Sequence, residues 1–109
     1  MGGPLEAKLL FSELLEEYPG DLELELNYAE SLLWNSEFYE AKIFYQQLVI
    51  NHPESFSALL GFSNTLSNLK DYDNVLIYIK KALAVDPGNR NALISQKYIR
   101  LGKAAKLVE

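Results

Sequence analysis

The stretch KALAVDPGN, residues 81–89, ends an apolar run with helical periodicity and breaks it at Pro87. Pro53 and Pro19 break two earlier runs of the same kind, and the three prolines are spaced 34 residues apart. Two more series repeat at that spacing, namely Ala7, Ala41 and Val75, and Phe11, Tyr45 and Ile79. A period of this length is typical of stacked supersecondary units rather than of one globular core. The sequence therefore predicts a repeat array.

The apolar runs between these breaks predict the secondary structure. Apolar side chains recur at intervals of three and four residues, which indicates amphipathic helices, and no stretch alternates as a strand would. Pro4 suits a first helical turn and Asp21 suits an N-cap. The predicted fold class is all-α, with helices at about 5–17, 22–35, 38–50, 55–69, 72–85 and 90–102, the last reaching 102 or 107.

Composition excludes several classes of partner. The net charge of −5 and the pI near 4.9 disfavour nucleic acid, because phosphate binding relies on Lys and Arg. No apolar run approaches the ~20 residues of a membrane span, so direct membrane insertion is not expected. The chain has no cysteine, which excludes disulfides and thiolate metal sites and leaves the compartment open between cytoplasm and periplasm.

The repeat motifs resemble those of the tetratricopeptide repeat (TPR) family, whose pattern is W-x2-L-G-x2-Y, A-x3-F and P. The resemblance implies a right-handed α-solenoid of antiparallel helix–turn–helix units. Close helix pairing is expected where Ala29 faces Ala41 and where Ser63 faces Val75. The matching residues are Tyr28-Ala29-x2-Leu32, Ala41-x3-Tyr45 and Pro53 in one unit, and Leu59-x2-Phe62-Ser63-x2-Leu66, Val75-x3-Ile79 and Pro87 in the next.

This register divides the chain into parts. Two complete units are expected, a first unit at residues 21–54 and a second unit at residues 55–88. The helix before them lacks its first-helix partner, so its apolar face is expected to invite self-association into a homo-oligomer. The helix after them carries Gln96, Lys97 and Arg100 at the pattern's packing positions, as a solvating cap should. The remaining parts are 1–4 as a cloning remnant or linker, 5–20 as the second helix of a partial unit, and 89–109 as the capping helix.

The resemblance also implies a concave groove lined by the first helix of each unit, where family members bind peptides or protein segments. Asn27 and Asn64 are the best candidates for ligand contact, whereas packing against the next unit is the preferred interpretation of Trp34. For Leu26, Leu33, Leu60 and Ile94 we weigh packing and ligand contact equally. The predicted groove residues are Glu23, Leu26, Asn27, Glu30, Leu33, Trp34, Leu60, Asn64, Ser67, Asn68, Ile94 and Tyr98.

Other charged and titratable residues carry weaker signals. Family members that bind chaperones clamp a C-terminal carboxylate with Lys, Arg and Asn, but Leu26 and Glu30 occupy the equivalent first-unit places here. His52 has no partner residue at a useful spacing, so a structural role at a helix end is expected. Two charged clusters are interpreted as solvated faces, the acidic one being Glu13, Glu16, Glu17, Asp21, Glu23 and Glu25, and the basic one Lys97, Arg100, Lys103 and Lys106.

Three hypotheses of function follow. The first is a protein–protein interaction scaffold that binds a peptide or protein segment in the groove. The second is a structural spacer of a larger protein, such as a bacterial envelope protein, that mainly self-associates. The third, an enzyme, is disfavoured because the sequence has no phosphate-binding glycine loop, no metal motif and no nucleophile–base pair. No catalytic residue, cofactor or metal is therefore predicted.

Overall fold

Six helices account for most of the chain in the computed structural model, which describes the backbone of residues 3–108 and the side chains of residues 3–102. The predicted ends of the first five helices agree with the observed ends to within one residue. Met1, Gly2, Glu109 and the side chains of Lys103 and Lys106 lie outside the described part. The helices are α1 (Pro4–Glu17), α2 (Leu22–Trp34), α3 (Phe38–Asn51), α4 (Phe56–Asn68), α5 (Tyr72–Val85) and α6 (Arg90–Val108).

Each first helix begins at a side-chain cap, and these caps follow the same spacing as the prolines. The Leu24 N–H donates to Asp21 Oδ1 at 3.0 Å. The Ala58 N–H donates to Ser55 Oγ at 3.2 Å, and the Ala92 N–H donates to Asn89 Oδ1 at 3.0 Å. Each cap satisfies one of the N–H groups that have no partner within the helix. The 34-residue repeat is therefore seen in the positions where these helices begin as well as in the positions of the prolines.

The reversal inside each unit is also the same. Ser36 and Lys70, 34 residues apart, both adopt the left-handed conformation, with φ of 58° and 62°. The Glu37 N–H donates to the Leu32 carbonyl and the Asp71 N–H to the Leu66 carbonyl, both at 2.9 Å. These bonds satisfy carbonyls at the helix end and turn the chain back sharply. The two hairpins therefore turn in the same way.

The helices pack mainly on their neighbours in sequence, and α2 also contacts α4. The resulting molecule is elongated, 50 × 27 × 22 Å. Small residues lie where the helices approach most closely, and Ala29, Ala41 and Ser63 are all 0% exposed. The core runs continuously from α2 to α6 and includes Leu32, Tyr45, Leu48, Leu59, Phe62, Leu66, Val75, Ile79, Ala82 and Ile99. The predicted all-α array of helical hairpins is confirmed.

Helix α1 docks on this array through polar contacts as well as apolar ones. The Lys8 ammonium lies 2.6 Å from the Glu37 carboxylate, and Asn35 Nδ2 donates to the Pro4 carbonyl at 2.8 Å. No residue of α1 is fully buried, and Leu9 is 56% exposed. Its outer apolar face is therefore open to solvent.

The Lys8–Glu37 pair makes the docking of α1 sensitive to acid. The hydrogen bond from Lys8 lowers the pKa of Glu37. A lowered folded-state pKa stabilises the fold above the unfolded value, about 4.3, and that contribution is lost as the pH falls through the folded value. We expect amide hydrogen exchange in α1 to accelerate relative to α4 between pH 5 and pH 3. In Glu37→Gln, α1 should already exchange fast relative to α4 at pH 7. That ratio should not change further as the pH falls. An unchanged α1 rate in that variant would contradict the role of the pair.

Candidate functional site

A pocket lies between α4 and α6, with α5 at its back. Its volume is about 190 Å³. The walls combine aliphatic side chains with small hydroxyl and amide groups. The lining residues are Ser63, Asn64, Ser67, Val75, Ile79, Ile94, Ser95, Tyr98 and Ile99.

Four of the predicted groove residues meet at this pocket. Asn64 and Ser67 come from α4, and Ile94 and Tyr98 come from α6. Tyr98 is 75% exposed and Ile94 is also exposed, so both offer apolar surface at the mouth. Asn64 is exposed as well and carries an amide that is suited to hydrogen bonding with a peptide backbone. Chain segments far apart in sequence thus supply one site.

Two other predicted residues of α4 lie outside the pocket. Leu60 is half-buried. Asn68 is exposed, and its Nδ2 donates to the Asn64 carbonyl at 3.0 Å. This bond joins the Asn68 side chain to its own helix, one turn back. The chemistry available at this end of α4 therefore comes mainly from Asn64 and Ser67.

Helix α2 supplies the acidic part of the groove. Glu23 and Glu30 are exposed. Leu26 and Leu33 pack against the core, which favours the structural interpretation of both. Asn27 is half-buried.

Trp34 ends α2 with much of its surface in solvent. We expected this side chain to pack against the next unit, but it is 54% exposed. A large part of the Trp34 side chain is therefore exposed to solvent beside the turn.

A buried tyrosine occupies the position one repeat before Ile79 of the pocket. Tyr45 projects from α3 and is 4% exposed. A Cβ placed on Gly61 of α4 would lie 2.6 Å from Tyr45 Cζ and 2.7 Å from its hydroxyl oxygen, so the ring lies directly on the glycine. Burial raises the pKa of Tyr45 to about 12, and the Glu30 carboxylate adds to the rise. The ring therefore fills the space between α2 and α4, which we call the first seam.

The pocket is the corresponding space one repeat later, between α4 and α6, which we call the second seam. The 34-residue spacing places Ile79 where the first seam has Tyr45, and Ser95 where it has Gly61. Isoleucine is smaller than tyrosine, so the second seam holds an open pocket where the first holds a ring. Ile79 and Val75 form its back, and sequence reasoning had placed both only in the core. The exchange of Tyr45 for Ile79 across the repeat was the signal that could have identified them.

The groove has a marked charge asymmetry. Of the predicted groove residues, two are acidic and none is basic, and the pocket lining contains no Lys or Arg. Lys81 is not among the pocket-lining residues and lies over the Tyr78 ring, 4.8 Å from the centroid. The predicted groove residues and the pocket lining therefore offer carboxylates, amides and hydroxyls, and they include no cation that could hold an anionic ligand.

His52 is the C-cap of α3, and its backbone N–H donates to the Leu48 carbonyl at 2.8 Å. Within the described residues, no group of three or more His, Cys, Asp or Glu is placed to hold a metal ion. No helix of the described chain is long and apolar enough to cross a membrane.

Comparison with solved structures gives the class of fold. The chain is similar to the Arabidopsis OM64 TPR domain, with a TM-score of 0.84 and 18% identity over 91% of this chain and 82% of that one. It is similar to the first TPR domain of human RPAP3, with a TM-score of 0.87 and 17% identity over 97% and 84%. It is also similar to the second TPR domain of human RPAP3 in complex with the HSP70 peptide SGPTIEEVD, with a TM-score of 0.75 and 16% identity over 85% and 78%.

The chain is thus a helical repeat protein with the fold of TPR domains, and the predicted right-handed α-solenoid is confirmed. The sequence itself matches no protein-family model and no curated protein. The three similar structures come from Arabidopsis and human and give no support to a bacterial origin.

Proposed function

We propose that this chain binds a segment of another protein in its concave groove. The observation that carries the proposal is the pocket between α4 and α6, where Asn64, Ser67 and Tyr98 surround an aliphatic back wall. Peptide-binding sites combine apolar pockets for anchor side chains with a few polar groups that fix the main chain. One similar domain, the second TPR domain of human RPAP3, is in complex with a peptide.

The chemistry of the groove favours a neutral or basic segment. Glu23 and Glu30 place carboxylates on the α2 side, and no predicted groove residue is basic. Like charges brought together at an interface reduce affinity and suppress wrong partners. The peptide SGPTIEEVD bound by the RPAP3 domain has three acidic residues, so we expect this groove to reject it. A segment with Lys or Arg near α2 would instead gain from charge complementarity.

Asn64→Ala is expected to weaken binding of a groove ligand about tenfold while leaving the melting temperature nearly unchanged. Asn64 is exposed, so its truncation should cost little stability, whereas loss of a hydrogen bond to a ligand costs about 0.5–1.5 kcal/mol. The ligands are peptides selected from a random library against the whole chain, measured by fluorescence anisotropy. SGPTIEEVD serves as the acidic control peptide.

Asn74→Ala is the matched control variant, because Asn74 is an exposed asparagine on α5 outside the pocket lining. It should bind the selected peptides as the parent does. Three results would contradict the proposal: no peptide selected, equal loss in both variants, or tight binding of SGPTIEEVD.

A second candidate function, self-association, is favoured by the open face of α1. Leu5, Leu9 and Leu10 are all more than half exposed. We expect the solution mass, measured by light scattering, to rise with protein concentration and to remain monomeric in Leu9→Glu and Leu10→Glu. Ile43→Glu is the control, since Ile43 is an exposed apolar residue on α3. A parent that is monomeric at every concentration would remove this candidate.

A further inference from the structure

We propose that the pocket of the second seam receives an aromatic side chain, Phe or Tyr, from the bound segment. This inference rests on the proposed groove function and names the anchor residue of its ligand. In the first seam the corresponding ring is that of Tyr45, from the same chain. The second seam has no ring of its own, and the ligand would supply one.

The two seams are related by the repeat. Tyr45 and Ile79 are equivalent by the 34-residue period, and each comes from the second helix of its unit. In the first seam the Tyr45 ring is 4% exposed and lies on Gly61, in the space between α2 and α4. The spacing of α2 and α4 therefore accommodates one aromatic ring.

The second seam has no ring at the equivalent position. Ile79 is 1% exposed and forms the back wall of the pocket together with Val75. The space left open is about 190 Å³. A cavity of about 150 Å³ lined by aliphatic and aromatic side chains is known to take up benzene, so this volume is sufficient for a phenyl or phenol group.

The chemistry of the mouth fits a ring that enters from the groove. Tyr98 and Ile94 are exposed at the rim and can cover the two faces of an inserted ring. Asn64, Ser67 and Ser95 offer amide and hydroxyl groups to a phenol oxygen or to the peptide main chain beside it. The mouth carries no Lys or Arg, so the anchor it suits is uncharged.

The position of Glu30 adds a second feature to the ligand. Glu30 lies on α2, one to two helix spacings from the pocket, and packed helices are about 8–10 Å apart. An extended chain advances about 3.3 Å per residue, so a basic residue roughly three to six positions from the aromatic anchor would reach this carboxylate. The recognised segment therefore pairs one aromatic residue with one basic residue at that separation.

The test uses p-cresol, the side chain of tyrosine, titrated into the whole chain with isotope-labelled isoleucine methyl groups. The expected result is saturable shifts of the Ile79 and Ile94 methyls with a dissociation constant of about 1–10 mM, a range set by the size of the probe. 3-Methyl-1-butanol, a water-soluble alcohol that carries the isobutyl group of leucine, should bind at least threefold more weakly. No shift at these methyls, or equal binding of the two probes, would overturn the proposal.

The matched variant is Ile79→Tyr combined with Ser95→Gly, which reproduces the first seam in the second. This double variant should fold with a melting temperature close to that of the parent. Its affinity for p-cresol, followed by the Ile94 methyl shifts, should be at least tenfold lower. Ser67→Phe, which blocks the mouth from a half-buried position on α4, is the second variant and needs no change in the core. Parent-like p-cresol binding in either folded variant would overturn the proposal.

These measurements separate the anchor from the function. Binding of p-cresol without any selected peptide would support the aromatic pocket and remove the groove function. Selected peptides that bind while p-cresol does not would support the groove function and overturn the aromatic anchor.

Discussion

Gly61→Ala is expected to lower the free energy of unfolding by about 1–3 kcal/mol, the usual cost of overpacking a well-filled core. The sign is unusual, because alanine normally stabilises a helix interior by about 1 kcal/mol relative to glycine. Here the added methyl carbon would lie 2.6 Å from Tyr45 Cζ. Tyr45 is 4% exposed and has core side chains around it, so the ring cannot withdraw without opening the first seam.

Urea unfolding followed by circular dichroism measures this effect. Gly102→Ala is the matched control, since Gly102 lies in α6 and a Cβ there would meet nothing within 4 Å. Gly61→Ser combined with Tyr45→Ile, the pair found in the second seam, should be more stable than Gly61→Ser alone. Equal stability of Gly61→Ala and Gly102→Ala would show that the Tyr45 ring does not occupy the first seam.

Ala41→Trp is expected to destabilise the chain still more, by about 3 kcal/mol or more, against a total stability of about 5–15 kcal/mol for a domain. Ala41 and Ala29 are both 0% exposed where α3 packs on α2. An indole placed there has no adjacent cavity to enter, so the two helices must separate. Ala29→Trp should act in the same way.

Thermal unfolding measures this effect, with Gln46→Trp as the control. Gln46 is exposed on the same helix, so its replacement adds the same side chain without overpacking. If Ala41→Trp melts with the parent, the close contact between α2 and α3 and the repeat register that predicts it are wrong.

The helices were predictable because their signals are local. Proline spacing, a cap at Asp21 and apolar periodicity act within a few residues, so the ends of α2 and α3 could be placed from the sequence alone. The equivalent caps at Ser55 and Asn89 follow from the same period, although their residue types differ.

Only part of the pocket lining could be predicted from the sequence, because the pocket depends on the volume that the packed side chains leave open. A helical face can be read from spacing, which placed Asn64 and Tyr98 on the groove side. Whether Val75 and Ile79 touch that groove depends on how much space three helices leave between them. Leu26 and Leu33 illustrate the reverse case, since their spacing suits the groove but their side chains pack against the core.

The neighbour-by-neighbour packing of the helices has a consequence for how binding would be felt along the chain. Because each helix contacts chiefly those beside it, free energy gained at the second seam is shared first by α4, α5 and α6. Helix α1 is stabilised only indirectly, through the helix contacts that lie between it and the second seam. A bound segment would therefore slow amide exchange most near the second seam and less in each hairpin farther away. The stabilisation would decrease gradually along the chain and would not change all of it at once.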